Sequence, residues 1–359
     1  MTNMIRIAVT DKLNFCCLKV SGHDSKNFLQ NQFCNDINDL KIGGNMHQFS
    51  GYCSPKGRLL ATLRVIMCDE NNYKVITPLD SAEVLMKRLS MFVLRSHVSI
   101  DNVSKTTHFY GIWFDPYLEN KLILKLSESK HFRLYFTKNS SGSKLRAWVE
   151  ASASSVSQLE KELKSYVGAE LAISKLPCES WTMSELLAGF TWLKGSQTDR
   201  YIPQSINLDL ANGMSFTKGC YPGQEVIARL HFLGKKKKRS ILASLCEDIS
   251  VETPWFSGLD ISHALLCSDI YIDVTGAAEK QIGEIVSICK KISLESPKTG
   301  NLWLLIQVDF EFLVGIQEKN QPKLFFKIEE TKYDLKISNS FSFYKTIVSE
   351  VKKIAESKT

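Results

Sequence analysis

A cysteine between glycines marks the most chemically suggestive segment of this sequence, residues 218–225. Gly219 and Gly223 permit positive φ angles or a close approach of the backbone, and the residues that follow predict a helix. Cys220 would then lie near the free N–H groups of a helix N-terminus, with Lys218 two residues away. Both effects favour the thiolate, which is the reactive form of cysteine. The segment predicts either a reactive thiol or a tight turn in which a small cysteine packs, and the residues alone do not decide between them.

The other cysteines form no pattern typical of a metal site. The chain has ten cysteines, and no two of them are spaced as Cys-x-x-Cys, the arrangement with which zinc and iron–sulfur sites build a tetrahedral shell. The seven histidines are scattered and include no His-x-x-x-His pair. We therefore predict no metal site, and free thiols of which most are small core residues.

The segment around Cys220 resembles a known family. It matches the signature Lys-Gly-Cys-Tyr-x-Gly-Gln-Glu of the YgfZ family at every fixed position, namely Lys218, Gly219, Cys220, Tyr221, Gly223, Gln224 and Glu225. Residues 201–204 and 207–208, the Ala-Arg pair at 228–229 and the Lys-Gly pair at 56–57 are also similar to that family. The resemblance is patchy and runs from about residue 13 to about residue 310.

The resemblance implies both a fold and a function. YgfZ proteins are similar in fold to the T-protein of the glycine cleavage system, which implies an α+β chain with two mixed α/β domains and a C-terminal β-barrel around a folate-binding cleft. The implied function is binding of tetrahydrofolate and support of iron–sulfur client enzymes. Through these enzymes it implies an effect on tRNA modification, including methylthiolation, and a link to the control of replication initiation is also implied.

The resemblance also assigns site residues. The family's folate pocket carries two tryptophans, and their positions fall on Phe15 and Trp181 in this sequence. Taken by itself, a tryptophan in an apolar helix such as the one around Trp181 is more often a core residue than a ligand platform. If the protein has a reaction, Cys220 is the expected participant, with Lys218 in support. No acid can be matched to the one that the aminomethyl-transferring T-proteins use; Asp101 and Asp115 are candidates by position only.

Five consecutive basic residues follow this segment: Lys235, Lys236, Lys237, Lys238 and Arg239. The common role of such a run is a solvated loop between domains. The functional alternative is a polyanion surface that contacts the carboxylates of a polyglutamate folate tail, or makes weak contact with tRNA phosphates. Because five adjacent like charges cannot be buried unpaired, the run is predicted to be exposed.

Three classes of function therefore stay open. The first is a folate-binding accessory protein for iron–sulfur enzymes and tRNA modification, the second a folate-dependent aminomethyl transferase, and the third a direct tRNA-binding module. They differ in whether Cys220, an acid near the pteridine or the basic run is required. Whether the chain is an enzyme is left undecided.

The elements that must position these residues alternate between strands and helices. Strands are predicted over 15–20, 59–67, 73–77, 109–114 and 131–136, and helices over 24–36, 80–92 and 155–167. After the basic run the sequence turns rich in β-branched residues, which favours a small barrel or sandwich. The predicted domains are residues 1–105, 106–234 and 235–359.

The bulk composition fits a folded protein in a reducing compartment. Hydrophobic residues make up 44% of the chain and aromatic residues 10%, which is too many for a disordered chain. The net charge of +7 permits a polyanionic partner without requiring one. No secretion signal is evident and no stretch approaches the ~20 apolar residues of a membrane span, so a cytoplasmic protein with no membrane partner is predicted.

Overall fold

The computed structural model describes residues 5–42, 46–116, 132–137, 145–168, 171–233, 238–250, 252–253, 265–273, 279–292, 299–315, 323–341 and 343–356. Three β-sheets organise the described chain, two of them with five strands and one with seven. Each sheet buries apolar side chains, and the segment 178–232 runs between them. None of the helices in these ranges has the length and apolarity of a membrane span.

The first sheet is antiparallel, with the strand order β3-β4-β5-β2-β6. Its strands are β2 (Phe15–Ser21), β3 (His47–Cys53), β4 (Leu59–Asp69), β5 (Asn72–Pro78) and β6 (Ser99–Asn102). Two helices cover it, α1 (Ser25–Gln32) and α2 (Ala82–Ser90), and they bury Phe28, Leu29, Leu85 and Leu89 in its core. The strands and helices predicted for this part of the sequence are present, although both helices end earlier than predicted.

The second sheet contains the N-terminal strand, contrary to the predicted domain 1–105. Its order is β10-β1-β7-β9-β8, and its elements are β1 (Ile5–Thr10), β7 (His108–Phe114), β8 (Phe132–Thr137), β9 (Leu145–Ala151), α3 (Val156–Val167) and β10 (Leu171–Leu176). Residues 5–10 pair in parallel with residues 171–176, which buries Ile7 and Val9. Local patterns could not reveal this pairing, because the partner strand lies more than 160 residues away. The boundaries 106–234 and 235–359 stay predictions.

The third sheet closes on itself as a barrel. Its elements are β11 (Lys238–Leu245), β12 (Ile249–Ser250), β13 (Asp269–Ile272), β14 (Lys280–Ile292), β15 (Thr299–Asp309), α6 (Phe310–Gly315), β16 (Leu324–Ile328), β17 (Thr331–Ile337) and α7 (Tyr344–Glu356). The strand order is β11-β17-β16-β13-β14-β15, and β11 also pairs with β15, which completes a ring of six strands. The predicted C-terminal β-barrel is therefore confirmed.

The segment 178–232 connects the sheets. It contains α4 (Cys178–Ala188) and α5 (Gln224–Phe232), with short 3-10 turns at Gly195–Gln197 and Pro203–Ile206. Backbone hydrogen bonds of 2.7 and 2.8 Å join Leu59 of the first sheet to Tyr201 and Asp199. On the other side, Asn207 donates to the Ser240 carbonyl of the barrel at 2.7 Å. The motif residues are thus carried by a segment that is fixed to two sheets at once.

Candidate functional site

Lys218 anchors the motif to the first domain. Its Nζ donates to the backbone carbonyls of Gln30, Phe33 and Asn35 at 2.6, 2.7 and 3.0 Å, at and just beyond the end of α1. The side chain is 7% exposed, and burial lowers the pKa of Lys218 to about 8. An ammonium group has three protons, so these carbonyls use its full donor capacity.

This arrangement corrects the role predicted for Lys218. The sequence placed it as support for a thiolate at Cys220, but its ammonium group is directed into the interior, towards carbonyls that follow α1. Burial lowers the pKa of Lys218, and the charges of Cys34 and Asp36 act in the opposite direction. Lys218 therefore holds the loop in place, because three buried carbonyls provide stronger partners than a solvent-exposed thiol would.

The two glycines of the motif differ in what their positions require. Gly223 has φ +81°, and a Cβ atom there would lie 2.5 Å from the Ser54 carbonyl oxygen and 2.7 Å from Cα of Gly57. The turn containing the Lys-Gly pair at 56–57 can therefore pack against the start of α5 only if residue 223 is glycine. Gly219 is different, since no atom lies within 4 Å of a Cβ built there. The predicted close approach is thus present at Gly223 and absent at Gly219.

The remaining fixed residues of the motif stabilise the same loop. Tyr221 is buried in a core cluster with Cys34 and Cys53, and its ring centroid lies 5.3 Å from Lys218 Nζ. The Gln224 side chain donates to the Lys218 carbonyl at 3.2 Å and so ties the helix start to the loop. Glu225 faces solvent and pairs with Arg229 at 3.1 Å, one turn along α5.

Cys220 lies on this anchored loop with its side chain exposed. Of the ten cysteines, only Cys220 and Cys246 are exposed. Burial raises the pKa of six others, which are Cys16, Cys17, Cys53, Cys68, Cys178 and Cys289. A raised pKa disfavours the nucleophilic thiolate, so the interior thiols are poor reagents at neutral pH. The fold thus presents one thiol of the motif to solvent between two buried anchors, Lys218 and Tyr221.

Phe15 and Trp181 meet in one aromatic cluster, through Trp148. Ring centroids lie 4.9 Å apart for Phe15 and Trp148 and 5.3 Å apart for Trp148 and Trp181. Trp192 joins the cluster at 4.7 Å from Phe15. The structure therefore brings the two residues that the sequence assigned to a folate pocket into the same part of the interior.

Trp181, however, offers no open face for stacking. It is 1% exposed, and a Cβ atom on Gly111 would lie 2.1 Å from its ring, so the indole lies directly on the backbone of β7. Trp113 packs against it at 5.3 Å. The role of Trp181 as a pocket wall is corrected to that of a core side chain, whereas Phe15 is only partly buried. The environment of Trp181 is therefore that of a core residue, as expected for a tryptophan in an apolar helix.

A buried ionic cluster adjoins these rings. Arg146 donates to Glu185 Oε1 at 2.6 Å, Trp192 donates to Oε2 at 2.9 Å, and Arg64 Nη2 lies 3.7 Å from the same Oε2. The three charged side chains are at most 3% exposed. Arg64 lies over Phe49, Trp148 and Phe190, and Arg146 lies over Trp181 and Phe190, at 5.3 to 6.0 Å from the ring centroids.

His47 completes the surroundings of Arg64. Its Nδ1 accepts from Arg64 Nη1 at 2.9 Å, because a guanidinium group can only donate, and its Nε2 donates to the Phe136 carbonyl at 2.8 Å. Burial, together with the Arg64 charge, lowers the pKa of His47 to about 3, so the ring is neutral at pH 7.

Sequence reasoning did not identify this ionic cluster. The available signal was an arginine inside the apolar run of β4, where Arg64 lies between Leu63 and Val65. A charged residue on a fully buried strand needs partners, and that alone marks it for attention. Its partners are His47 of β3 and Glu185 of α4, and no local pattern around Arg64 identifies them.

Lys238 and Arg239, the two described residues of the basic run at 235–239, lie in different environments. Arg239 is 0% exposed and forms a bidentate pair with Asp209, at 2.7 and 2.9 Å, and a further pair with Glu350 at 3.1 Å. Its assignment to a polyanion surface is therefore wrong, because two carboxylates compensate the buried charge and Arg239 joins the barrel to 178–232. Lys238 is exposed, while Lys235, Lys236 and Lys237 lie outside the described residues.

Comparisons with known proteins agree with the motif and with the architecture. No protein-family model matches this chain. The chain is 26% identical over 254 residues to the tRNA-modifying protein YgfZ of Colwellia psychrerythraea, an alignment that covers 68% of this chain and 72% of that protein. It is 30% identical over 234 residues to the tRNA-modifying protein YgfZ of Hamiltonella defensa, with 62% of this chain and 65% of that protein covered.

A solved structure confirms the predicted fold. The glycine cleavage system aminomethyltransferase T from Bartonella henselae superposes with a TM-score of 0.65 at 12% sequence identity, over 93% of this chain and 86% of that one. The α+β architecture with a C-terminal β-barrel is thus T-protein-like, as the resemblance implied. The complete signature from Lys218 to Glu225 and the alignments over about two thirds of this chain show that it is similar to the YgfZ proteins.

Proposed function

We propose that this protein is a folate-binding accessory protein that supports iron–sulfur enzymes and thereby tRNA modification, including methylthiolation. Tetrahydrofolate is the proposed cofactor, iron–sulfur client enzymes are the proposed partners, and the cytoplasm is the proposed place of action. The observation that carries the proposal is the exposed Cys220 on a loop that Lys218 and Tyr221 fix to the interior. The similarity to relatives named tRNA-modifying protein YgfZ supports the choice of tRNA modification as the process.

The loop geometry supports a chemical role for Cys220. A cysteine that only fills space would be buried, as Cys34 and Cys53 are beside Tyr221. Cys220 instead faces solvent, although the residues on both sides are held by buried contacts. The buried side chains of Lys218 and Tyr221 fix the loop, and they thereby hold the Cys220 thiol at one position on the surface.

Support for folate binding comes from the fold and from the aromatic cluster. A flat heteroaromatic ligand binds best in an interior lined by aromatic side chains with a few polar groups. Phe15, Phe190 and Trp192 are partly exposed members of that cluster, and they provide the accessible ring surface that Trp181 lacks. We therefore assign the stacking role to Phe15 and these neighbours.

The transferase alternative is less well supported by the described residues. It requires an acid that is free to act near the ligand. Asp101 is exposed on the edge strand β6, and Glu185, the carboxylate of the aromatic cluster, has both oxygens engaged by Arg146 and Trp192. Neither candidate is therefore a carboxylate that is free to contact a ligand in the aromatic cluster.

Complementation of a deletion strain tests the proposal. The expected result is that Cys220→Ser fails to restore tRNA methylthiolation, whereas Cys246→Ser, a change at the other exposed cysteine, restores it. Both variants should be compared for folded yield and for binding of tetrahydrofolate. Full restoration by Cys220→Ser would remove the thiol from the function and leave the loop a role in shape alone.

A further inference from the structure

A small cavity opens between α1 and the segment that follows α2. Its volume is about 220 Å³, and none of its lining residues belongs to the motif loop or to the aromatic cluster. Sites for drug-sized ligands measure ~300–1,000 Å³, so this cavity suits a single flat ring system rather than an extended cofactor. The lining includes Asp24, Asn27, Phe28, Asn31 and Gln32 from α1 and its N-cap, and Phe92 from the opposite side.

Three carboxamides give the cavity its polar character. Asn27 and Asn31 are exposed and lie one turn apart on α1, so they share a face of the helix. Gln32 is only 8% exposed, and its Oε1 is buried without a hydrogen-bond partner within the described part of the chain. A buried acceptor without a donor is unfavourable. Because each carboxamide offers a donor beside an acceptor, the complementary ligand has the same pair of groups on one edge.

The charge and the rings of the lining indicate a neutral, flat ligand. Asp24 is the one charged residue in the lining, and its Oδ2 accepts from the backbone N–H of His97 at 2.8 Å. A carboxylate with no cation beside it in the lining disfavours phosphate or carboxylate groups inside the cavity. Phe28 and Phe92 add aromatic surface, against which a heterocycle gains from stacking.

The segment that follows α2 is unusually apolar for a surface. Met91, Phe92 and Leu94 expose 58%, 42% and 84% of their surface, and Leu94 has φ +42°, which is rare for a bulky residue. Basic residues flank Phe92 on both sides in the chain, with Lys87 and Arg88 in the last turn of α2 and Arg95 three residues later. An exposed aromatic side chain among basic residues is typical of surfaces that bind single-stranded nucleic acid.

We propose that this cavity, named here the α1 pocket, binds an unpaired adenine base. The carboxamides of asparagine and glutamine match the N6 donor and N7 acceptor of adenine, whereas the same edge of guanine has two acceptors and pairs with arginine or lysine, which the lining lacks. The base can belong to single-stranded RNA or to a free adenosine nucleotide, and the basic residues around Phe92 favour RNA. The inference goes beyond the proposed function, because it requires neither folate nor Cys220.

Fluorescence anisotropy on the full-length protein tests the choice of base. Labelled single-stranded RNAs of about eight adenosines or about eight uridines are titrated at the same salt concentration. We expect the adenosine strand to bind about fivefold more tightly or better. Equal affinity for the two strands would overturn the inference. Calorimetry with adenosine monophosphate identifies the source of the base: much weaker binding than that of the strand assigns the pocket to RNA, and equal binding assigns it to a free nucleotide.

Substitutions at two exposed positions locate the site. Asn31→Ala and Phe92→Ala should each reduce the affinity for the adenosine strand to that for the uridine strand. Asn38→Ala and Phe232→Ala are the matched controls, because both residues are exposed and lie outside the lining. An unchanged preference for adenosine in Asn31→Ala and Phe92→Ala would reject the α1 pocket.

Gln32→Leu provides a readout that a purely structural role would not give. The change removes the unpaired buried acceptor and keeps an apolar side chain of similar size, so we expect the unfolding temperature to rise while the preference for adenosine is lost. A fall in the unfolding temperature with an unchanged preference would show that Gln32 serves the fold alone and would contradict its role in the pocket.

A competition experiment separates this inference from the proposed function. Excess tetrahydrofolate should leave the binding of the adenosine strand unchanged, and Asn31→Ala should bind tetrahydrofolate as wild type does. If tetrahydrofolate displaces the strand competitively, the base occupies the proposed folate site and the α1 pocket is rejected. If the strand binds in an Asn31-dependent way and tetrahydrofolate does not bind at all, the pocket stands and the folate function fails.

Discussion

At the scale of single residues, the motif combines buried anchors with one exposed thiol. Lys218 uses all three of its protons on backbone carbonyls, and Cys220 two positions later faces solvent. A reactive loop and a tight turn can contain the same residue types at the same spacing. The structure distinguishes them by the direction in which each side chain points.

Cys220 is therefore expected to react first among the ten thiols. Limiting iodoacetamide at neutral pH, followed by peptide mass mapping, should modify Cys220 before Cys16, Cys53 or Cys178, because burial raises the pKa of those three. Cys246, the other exposed thiol, serves as the internal reference for exposure alone. Slower labelling of Cys220 than of Cys246 would argue against a reactive thiol in the motif.

Lys218→Met should destabilise the protein without touching the thiol. The change leaves three carbonyls without their donor, and we expect the free energy of unfolding to fall by about 2–4 kcal/mol. Urea denaturation measures this loss. Lys56→Met, at an exposed lysine in the turn that packs near Gly223, is the control and should change stability by less than about 0.5 kcal/mol. Equal effects of the two changes would contradict the anchoring role.

At the scale of elements, the start of α5 and the turn between β3 and β4 form one unit. The Lys-Gly pair at 56–57 and the motif are distant in sequence, yet Gly57 and Gly223 are in backbone contact. This contact explains the glycine at residue 223, where a Cβ atom would clash with the turn, while the positive φ of +72° favours glycine at residue 57.

Gly223→Ala should disrupt this unit, and Gly219→Ala should not. At residue 223 alanine would need φ near +81° and would place its Cβ 2.5 Å from the Ser54 carbonyl oxygen. We expect a loss of about 1–3 kcal/mol in unfolding free energy, to be measured by denaturation. Residue 219 has open space, so its alanine variant is the matched control within the same motif. Near-neutral behaviour of Gly223→Ala would show that the turn can move away.

At the scale of the whole molecule, a buried ionic network joins elements of the first two sheets to the connecting segment. Arg64 of β4, Arg146 of β9 and Glu185 of α4 join three elements through buried charges. His47 belongs to the same network through Arg64, and it connects the first sheet to the Phe136 carbonyl of the second.

This network should make the protein sensitive to mild acid. The pKa of His47 is lowered to about 3 in the folded state against about 6.5 when unfolded, so between these values only the unfolded chain binds the proton. Stability therefore falls as pH decreases from about 6.5, by at most about 1.4 kcal/mol per pH unit from this group.

His47→Gln tests this prediction, because glutamine can accept from Arg64 and donate to the Phe136 carbonyl without titrating. Unfolding free energies measured from pH 7 to pH 5 should decline less steeply in this variant than in wild type. His23→Gln, at a histidine with an 89% exposed side chain, should keep the wild-type slope. If the unfolding free energies of wild type and His47→Gln decline with the same slope, His47 is not the source of the acid sensitivity.

The amino-acid sequence was sufficient to predict the resemblance to YgfZ proteins, the alternation of strands and helices, the C-terminal barrel and the motif around Cys220. These features depend on local patterns and on a long contiguous signature, which the chain carries regardless of its partners. The tertiary structure decided the membership of β1 in the second sheet, the inward direction of Lys218, the burial of Trp181 and the pairing of Arg239 with Asp209. Each of these features depends on residues that are far apart in the chain. Packing between elements determines which side chains are buried and which ionic partners they have, and such contacts produce no periodic pattern in the sequence.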